Sequence, residues 1–469
     1  MKTTVELYNL KLEKTVQAMG STSLQKNNVL SQFRINLGSG ALLASVSVLT
    51  TIILSRYIIL SIGVELYGLW ALVATVLVVA NICDQGLGDP ISRMIAISFH
   101  SKDHKEVQED YSSGIILSVL VILPFIVGVN IFGNFIVGFM NVPVKMVLIA
   151  NTLFNKIGLI LFIFVLAIVI DSVLAGIGRI DIPNMNKLGS RIFQLLITIL
   201  LLKLNYGIWA IYYGVLSFHC VRLLTGIIFL KKLTKIKLFN IYSSNFMSIK
   251  KLYIMGYKIV LGRLVSIGNE PLLRILLAKY AGLESVAALD IGMKVIGLLT
   301  LLPIRAFRAI VARASKASTD IKQGVIEMKN INSILSKYLI IIGLPTFIFI
   351  FFIGDSLLLF WLSNGYNNNM YVCLQLLIFP YFIHLFMMPK LNTLIGYGQT
   401  NQFAISAIIM TLSFFIGLLI NYLTGFEYSF SGPIIAYAFG ILMSSFYILY
   451  IYFVKLENIM IKQISNASG

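Results

Sequence analysis

From Leu37 onward the chain alternates long apolar runs with short polar connections, and the runs are of one size class. Twelve can be drawn, at approximately 37–61, 66–90, 112–138, 149–176, 188–204, 208–230, 258–280, 284–308, 338–360, 371–395, 403–424 and 433–454. A hydrocarbon layer of roughly 30 Å needs about 20 helical residues at about 1.5 Å each, and apart from the fifth run, the shortest, each meets or exceeds that. In lipid every backbone polar group has to be satisfied within the segment. The pattern therefore predicts an all-α polytopic membrane protein with about 12 transmembrane helices.

The pattern repeats. Gly63-Val64-Glu65, between the first and second runs, returns as Gly282-Leu283-Glu284 between the seventh and eighth, 219 residues later. Leu174-Ala175-Gly176-Ile177-Gly178 after the fourth run returns as Leu394-Ile395-Gly396-Tyr397-Gly398 after the tenth, 220 residues later. Six spans per unit keep both units in one orientation, which predicts two parallel-repeat six-helix lobes around a central cavity, related by an axis along the membrane normal. The expected divisions are an N-terminal arm (1–34), a first lobe (35–230), a basic linker (231–257), a second lobe (258–455) and a tail (456–469).

Composition agrees with the membrane reading. Of 469 residues 58% are hydrophobic and only 12% charged, against about 25% charged in soluble domains, and the mean hydropathy is +0.89. Lys and Arg number 37 against 19 Asp and Glu, a net charge of +18. Most of these cations fall in alternate connections and at the two ends, above all in Lys231–Lys237, Lys250–Lys258 and Arg305–Lys337. That is the positive-inside distribution; it predicts both termini on the cytosolic side of a bacterial cytoplasmic (inner) membrane and removes the reason to invoke nucleic acid. The opposite connections, such as Ile62–Glu65 and Asn205–Tyr206, leave no room for an extracytoplasmic catalytic domain, so no enzymatic activity is expected. Residues Met1–Arg34 are polar and lack a signal-peptide core; Val5, Leu12, Val16 and Met19 recur at helical spacing, which fits a short interfacial helix, a loose arm, or an initiation site at Met19. Cys83, Cys220 and Cys373 sit inside apolar runs and read as packing residues.

Charges inside the apolar runs are the candidate chemistry. The seventh and eighth runs carry Arg263, Glu270, Arg274, Asp290 and Lys294, and ionisable groups at membrane depth face protein or water. Counted from the Gly282 turn, Arg274 and Asp290 lie about 12 Å deep, with Glu270 and Lys294 about 15–18 Å deep. Two readings are open: matched layers of ion pairs that pin the two helices, or a site where Glu270 or Asp290 exchanges its partner for a coupling proton or sodium ion while Arg274 or Lys294 meets substrate. Pro271 removes a backbone donor beside Glu270 and marks a flexing point.

The first hairpin adds a family resemblance. Gly63-Val64-Glu65-Leu66-Tyr67-Gly68-Leu69-Trp70-Ala71-Leu72-Val73, followed by Asp84-Gln85-Gly86-Leu87-Gly88, resembles the corresponding hairpin of Wzx-type O-antigen and polysaccharide flippases. Those belong with the multidrug, oligosaccharidyl-lipid and polysaccharide exporters, the MOP superfamily. The resemblance covers nearly the whole chain through span number, lobe repeat and the Gly-x-Gly turns. It implies movement of an undecaprenyl-pyrophosphate-linked oligosaccharide from inner to outer leaflet by alternating access, with membrane lipid, a polysaccharide polymerase and a chain-length regulator as partners and no cofactor.

Arg56, Arg222 and Arg263 have no counter-charge in their own spans, and planar guanidinium groups suit pyrophosphate oxygens; snorkelling to headgroups is the alternative reading. With Arg274 and Lys294 they form the expected cationic cavity. His219, three residues before Arg222, shares its face and is a candidate for coupling or for hydrogen-bonded packing. Asp84, Asp89 and Arg93 cluster at the inner end of the second span as a candidate gate, with Asp171 a weaker one, and Lys390 and His384 extend the basic surface into the second lobe. His100-Ser101-Lys102-Asp103-His104 lacks the glutamate of a zinc motif, and the Gly-x-Gly turns follow no strand, so no metal or nucleotide site is expected. Within the same superfamily a multidrug or peptidoglycan-precursor exporter remains open; a membrane polysaccharide polymerase is the reading from a different class.

Overall fold

The computed structural model describes residues 23–467 apart from 79–83, 102, 141, 239, 318–320, 400 and 426–428. The side chains of 23–31, 33–34, 37, 84–85, 241, 258–259, 261–267, 305, 308–309, 312, 316–317, 321–323 and 455–467 lie outside the description. Among the described residues every regular element is a helix. We number the α-helices in chain order: α1 Ser23–Ile62, α2 Val64–Val73, α3 Asp89–His100, α4 His104–Phe139, α5 Val144–Gly176, α6 Asp181–Lys203, α7 Ile208–Leu233, α8 Phe246–Ala281, α9 Leu283–Ala317, α10 Ile321–Tyr338, α11 Leu344–Leu362, α12 Asn368–Gly396, α13 Asn401–Leu423 and α14 Ser431–Ala467.

Ten helices among the described residues are long and apolar enough to cross a membrane, and they coincide with ten of the twelve expected runs. The other two runs are also helical where described. The second is apolar helix over Val64–Leu77 and, after 79–83, which lie outside the description, a π-turn at Asp84–Gly88 and the amphipathic α3. The seventh is α8, 36 residues long, whose lysines, arginines and glutamate dilute its hydropathy.

The repeat is present in the backbone. Gly63 and Gly282 share one conformation, φ 82 with ψ 166 and φ 82 with ψ 174, in the positive-φ region that glycine enters without a Cβ penalty. Gly178 and Gly398, at φ 84 and 80, close α5 and α12 with the same pair of bonds, Arg179 N to Leu174 O with Gly178 N to Ala175 O, and Gln399 N to Leu394 O with Gly398 N to Ile395 O. Both are Schellman caps. Packing repeats too: a Cβ on Gly176 would stand 2.6 Å from Ser92 O and 2.9 Å from Ile95 Cβ, and one on Gly396 2.7 Å from Val311 O and 2.4 Å from Ala314 Cβ. Partners 92 and 311, and 95 and 314, are again 219 apart.

Several boundaries differ from the hydropathy reading. The helix of the first run is already present at Ser23, the first described residue and inside the expected arm, and that of the seventh begins at Phe246 inside the expected linker. Residues 305–337 are two helical extensions, the end of α9 and α10, clipped together where Arg313 Nε donates to Glu327 Oε1 at 2.8 Å. Hydropathy marks where lipid ends, whereas backbone hydrogen bonding carries a helix on into water. Residues 1–22, with the helical spacing of Val5, Leu12, Val16 and Met19, lie outside the described residues.

The lobes meet closely at the end that carries the Gly63 and Gly282 turns. A Cβ on Gly68 of α2 would lie 1.9 Å from the Leu283 carbonyl oxygen of α9, and one on Gly365 2.4 Å from Ile59 Cγ2 of α1. Toward the basic end α8 touches the π-turn, where a Cβ on Gly256 would lie 2.3 Å from Gly86 O. On the opposite flank α1 and α9 diverge. An apolar cleft of about 830 Å³ opens between Gly40, Ala44 and Val48 on one side and Leu298, Leu301 and Leu302 on the other.

Candidate functional site

The charges of α8 and α9 join into a single chain. Arg274 Nη2 contacts Glu270 Oε1 at 2.6 Å and Asp290 Oδ1 at 3.1 Å; Lys294 Nζ contacts Asp290 Oδ2 at 2.9 Å. Sequence depth suggested two layers, Arg274 with Asp290 and Glu270 with Lys294. The structure instead pairs within each helix at i, i+4 and crosses between helices once, through Arg274 and Asp290. Four residues on a helix turn about 40° past a full circle, so each pair shares a face and the nearer partner wins.

The first lobe supplies neutral polar groups to this chain. Arg274 Nη1 donates to Ala71 O at 3.0 Å, Lys294 Nζ donates to Ser55 Oγ at 2.9 Å and to the Tyr67 hydroxyl, and that hydroxyl donates to Asp290. Shifted by 219, Ser55 corresponds to Arg274 and Ala71 to Asp290, so positions that are charged in the second lobe are neutral in the first. The chain lines a cavity of about 320 Å³ with Met293, Gly297, Thr300 and Tyr381. Glu270 and Lys294 keep about a third of their side-chain surface, 33% and 27%, while Arg274 and Asp290 keep 11% and 13%. The outer members are reachable and the inner pair is enclosed.

Among the described residues the remaining candidates do not converge on that cavity. Arg56 was expected to lack a partner and face phosphate; its guanidinium caps α11, with Nη1 donating to the carbonyl oxygens of Phe360, at 2.9 Å, and Trp361, and Nη2 to Ser363 Oγ at 3.2 Å. A helix C-terminus holds unpaired carbonyls and negative partial charge, which draws the nearest cation. Arg222 was expected to have no counter-charge within its own span, and none lies there. Its counter-charge comes from another span: Nε donates to Asp171 Oδ2 at 2.8 Å and Nη2 lies 2.6 Å from the same oxygen, with the arginine only 3% exposed. The side chains of Arg263 and Asp84 lie outside the described residues. Asp89 and Arg93 lie exposed on α3. His219 is buried, stacked on Phe164 at 4.5 Å and edge-on to Phe218 at 4.8 Å. His384 shares a hydrogen bond with Ser445 Oγ at 3.2 Å, and Lys390 donates to Phe386 O at 3.2 Å. Cys373 is buried and Cys220 half-buried, as packing residues would be.

Sequence reasoning missed Tyr67 and Ser55 as partners of the charges, because only the fold brings α1 and α2 against α9. It also missed Lys187 and Arg191 in the fifth span. Lys187 Nζ lies 3.3 Å from Asp171 Oδ2; Arg191 donates to Gln194 Oε1 at 2.9 Å and packs over the Phe218 ring at 4.8 Å. Their signal was present in the sequence, two cations four residues apart inside an apolar run.

No family model matches the chain, and no curated protein matches it. Solved structures do. One described as the inward-facing conformation of a multidrug resistance MATE family transporter of the MOP superfamily aligns at TM-score 0.74 with 17% identity, over 88% of this chain and 95% of that one. The chain has the fold of MOP-superfamily transporters. A lipid II flippase MurJ, in an inward closed conformation, aligns at TM-score 0.68 and 16% identity over 92% of this chain and 91% of that one. A MOP superfamily transporter from Pyrococcus furiosus, described as having a binding pocket of reverse polarity, aligns at 0.63 and 16% over 92% and 96%. At these identities the likeness is of fold, a two-lobe multi-pass membrane architecture, and it is shared with transporters and a flippase.

Proposed function

We propose that this protein is a flippase that carries an undecaprenyl-pyrophosphate-linked oligosaccharide from the inner to the outer leaflet of a bacterial cytoplasmic membrane by rocking of its two lobes. One observation carries the reading: a single helix, α9, lines a charged cavity through Asp290, Lys294, Gly297 and Thr300 and the apolar cleft through Leu298, Leu301 and Leu302. A cargo with a charged head and a polyprenyl tail needs both environments side by side, the head out of hydrocarbon and the tail within it. The basic connections support a cleft in the cytosolic half, and on that orientation the closed turn end is the outer one and the cleft is a lateral opening toward the inner leaflet. An inside-negative potential assists an anion leaving the cytosol by about 2.3 kcal/mol per charge per 100 mV.

The chain of charges refines the expected cationic cavity. Arg274 and Lys294 are neutralised by Glu270 and Asp290, so an anionic head gains there only by exchanging with a carboxylate. Glu270, with a third of its side chain exposed, is the carboxylate open to that exchange. A polymerase and a chain-length regulator would follow in sequence, receiving the flipped unit at the outer face.

The test is deletion of the chain followed by extraction of polyprenyl-linked sugars. Accumulation of a pyrophosphate-linked oligosaccharide facing the cytosol is the expected result. The MATE and lipid II flippase neighbours favour a second reading inside the same fold, export of a drug or of a peptidoglycan precursor. Stalled lipid II, or drug sensitivity with no stalled lipid, would select it and remove the polysaccharide reading.

A further inference from the structure

The connection between α7 and α8, which joins the lobes, is tied down through its backbone while its lysines stay unused. Gln108 of α4 exchanges two hydrogen bonds with Lys237, its Nε2 donating to the carbonyl oxygen at 3.0 Å and its Oε1 accepting from the backbone N–H at 2.7 Å. Ser112 Oγ donates to Asn240 O at 2.9 Å, and Ser113 Oγ both donates to Asn245 O at 3.4 Å and accepts from Asn245 N at 3.2 Å. Ile236 is buried beneath the segment. Lys231, Lys232, Lys235 and Lys237 are exposed, and among the described residues no carboxylate forms an ion pair with any of the four.

The segment also runs along the membrane boundary. Ser112 and Ser113 open the third apolar run, so Asn240 and Asn245, bonded to them, lie at the depth where α4 meets lipid headgroups. Beside them Tyr242, Phe246 and Met247 are 99%, 75% and 69% exposed. Two cavities open between this segment and the start of α4, of about 640 and 460 Å³, with His104 and Lys235 common to both walls. Their linings hold five lysines, the four above and Lys105, and one carboxylate, Glu109, which Lys105 meets at 4.0 Å. Neither cavity shares a residue with the charged cavity of α8 and α9 or with the apolar cleft.

We infer that this connection is a binding site for an anionic phospholipid of the adjoining leaflet, with the phosphodiester between Lys235 and Lys237 in the larger cavity and the glycerol and acyl chains beside Tyr242 and Phe246. Lysine is a compact charge on a flexible stem that can meet a phosphate from several directions, cations close to an anionic leaflet gain from its surface potential, and aromatic rings favour the headgroup level. A soluble anion accounts for the lysines but not for aromatic side chains left open at that depth; a phospholipid accounts for both. Occupancy ties the joint between the lobes to the bilayer surface.

The test counts lipids retained on the purified full chain by native mass spectrometry, with phosphatidylglycerol, phosphatidylcholine and soluble glycerol 3-phosphate as probes. Wild type is compared with Lys235→Gln plus Lys237→Gln, with Tyr242→Ser plus Phe246→Ser, and with Lys329→Gln plus Lys337→Gln, which removes two exposed charges from α10. The expected result is at least a fivefold preference for phosphatidylglycerol over phosphatidylcholine in wild type, lost in the Lys235 and Lys237 pair and kept in the α10 pair, with weaker retention in the aromatic pair and no displacement by glycerol 3-phosphate. An unchanged preference in the Lys235 and Lys237 pair overturns the site, as does an equal loss in the α10 pair, which marks a general field of positive charge. Displacement by glycerol 3-phosphate, with the aromatic pair behaving as wild type, makes the ligand a soluble anion and removes the lipid. Should a double variant not fold, Lys235→Gln alone gives the same comparison.

Discussion

Two acids, Asp171 and Asp290, each hold two cations, and their surroundings set different costs for losing them. Arg222 depends on Asp171 as its acid and is 3% exposed, so Asp171→Asn strands a buried guanidinium. Breaking a buried pair costs about 3–5 kcal/mol, and Asp171→Asn is expected in that range. Asp290→Asn leaves Arg274 its Glu270 contact and Lys294 its Ser55 and Tyr67 contacts, so it is expected below that range. Thermal unfolding of both variants in one detergent checks the order; a larger loss for Asp290→Asn would mean the α8 and α9 chain carries more of the fold than its partners indicate. That charges would sit in the seventh and eighth spans was legible from sequence. Their partners were not, because Arg222 meets Asp171 across 51 residues and Lys294 meets Ser55 across 239.

Helices carry the next level, where short contacts join the lobes at the turn end. Gly68 has no room for a methyl group because the Leu283 carbonyl oxygen occupies its place, and backbone yields only by moving the helix. Gly68→Ala is therefore expected to push α2 from α9 and open the end that carries the Gly63 and Gly282 turns, the outer end on the proposed orientation. Arg56→Gln removes the charged cap of α11, a loss of about 1.5–3 kcal/mol for hydrogen bonds to a charged group, and loosens the same end from the α1 side. In a chain with Cys83, Cys220 and Cys373 replaced, a cysteine at Ile58, buried here, should react faster with an outside maleimide in both variants; unchanged rates would show that these contacts do not close the gate. The fifth span illustrates how helix-level signal is lost. Its mean hydropathy of 1.3 is the lowest of the ten spans, because the stripe of Lys187, Ser190, Arg191, Gln194 and Thr198 along α6 is polar.

For the whole molecule, the cleft between α1 and α9 is the part that the proposed rocking of the lobes has to change. Ala41 and Leu298 line it from opposite lobes. Cysteines at these two positions, joined by a short reducible crosslinker, are expected to cut translocation at least tenfold, with recovery on reduction. Full activity of the crosslinked protein would show that the cleft keeps its width through the cycle. On the proposed function, the apolar lining on both sides also predicts that polyprenyl chains compete with one another for the cleft whatever sugar they carry.

Helical periodicity, apolar run length and the 219-residue repeat by themselves determined an all-α membrane fold of two lobes in one orientation, since each depends on local backbone satisfaction and on chain order alone. The glycine turns were readable for the same reason: a positive-φ corner is decided within a few residues. Which charges cancel and which stay in surplus was decided only by tertiary structure. Ion pairing falls off within a few ångströms, and those distances are set by how α5, α6 and α7 close on one another and how α1 and α2 meet α9, not by position along the chain.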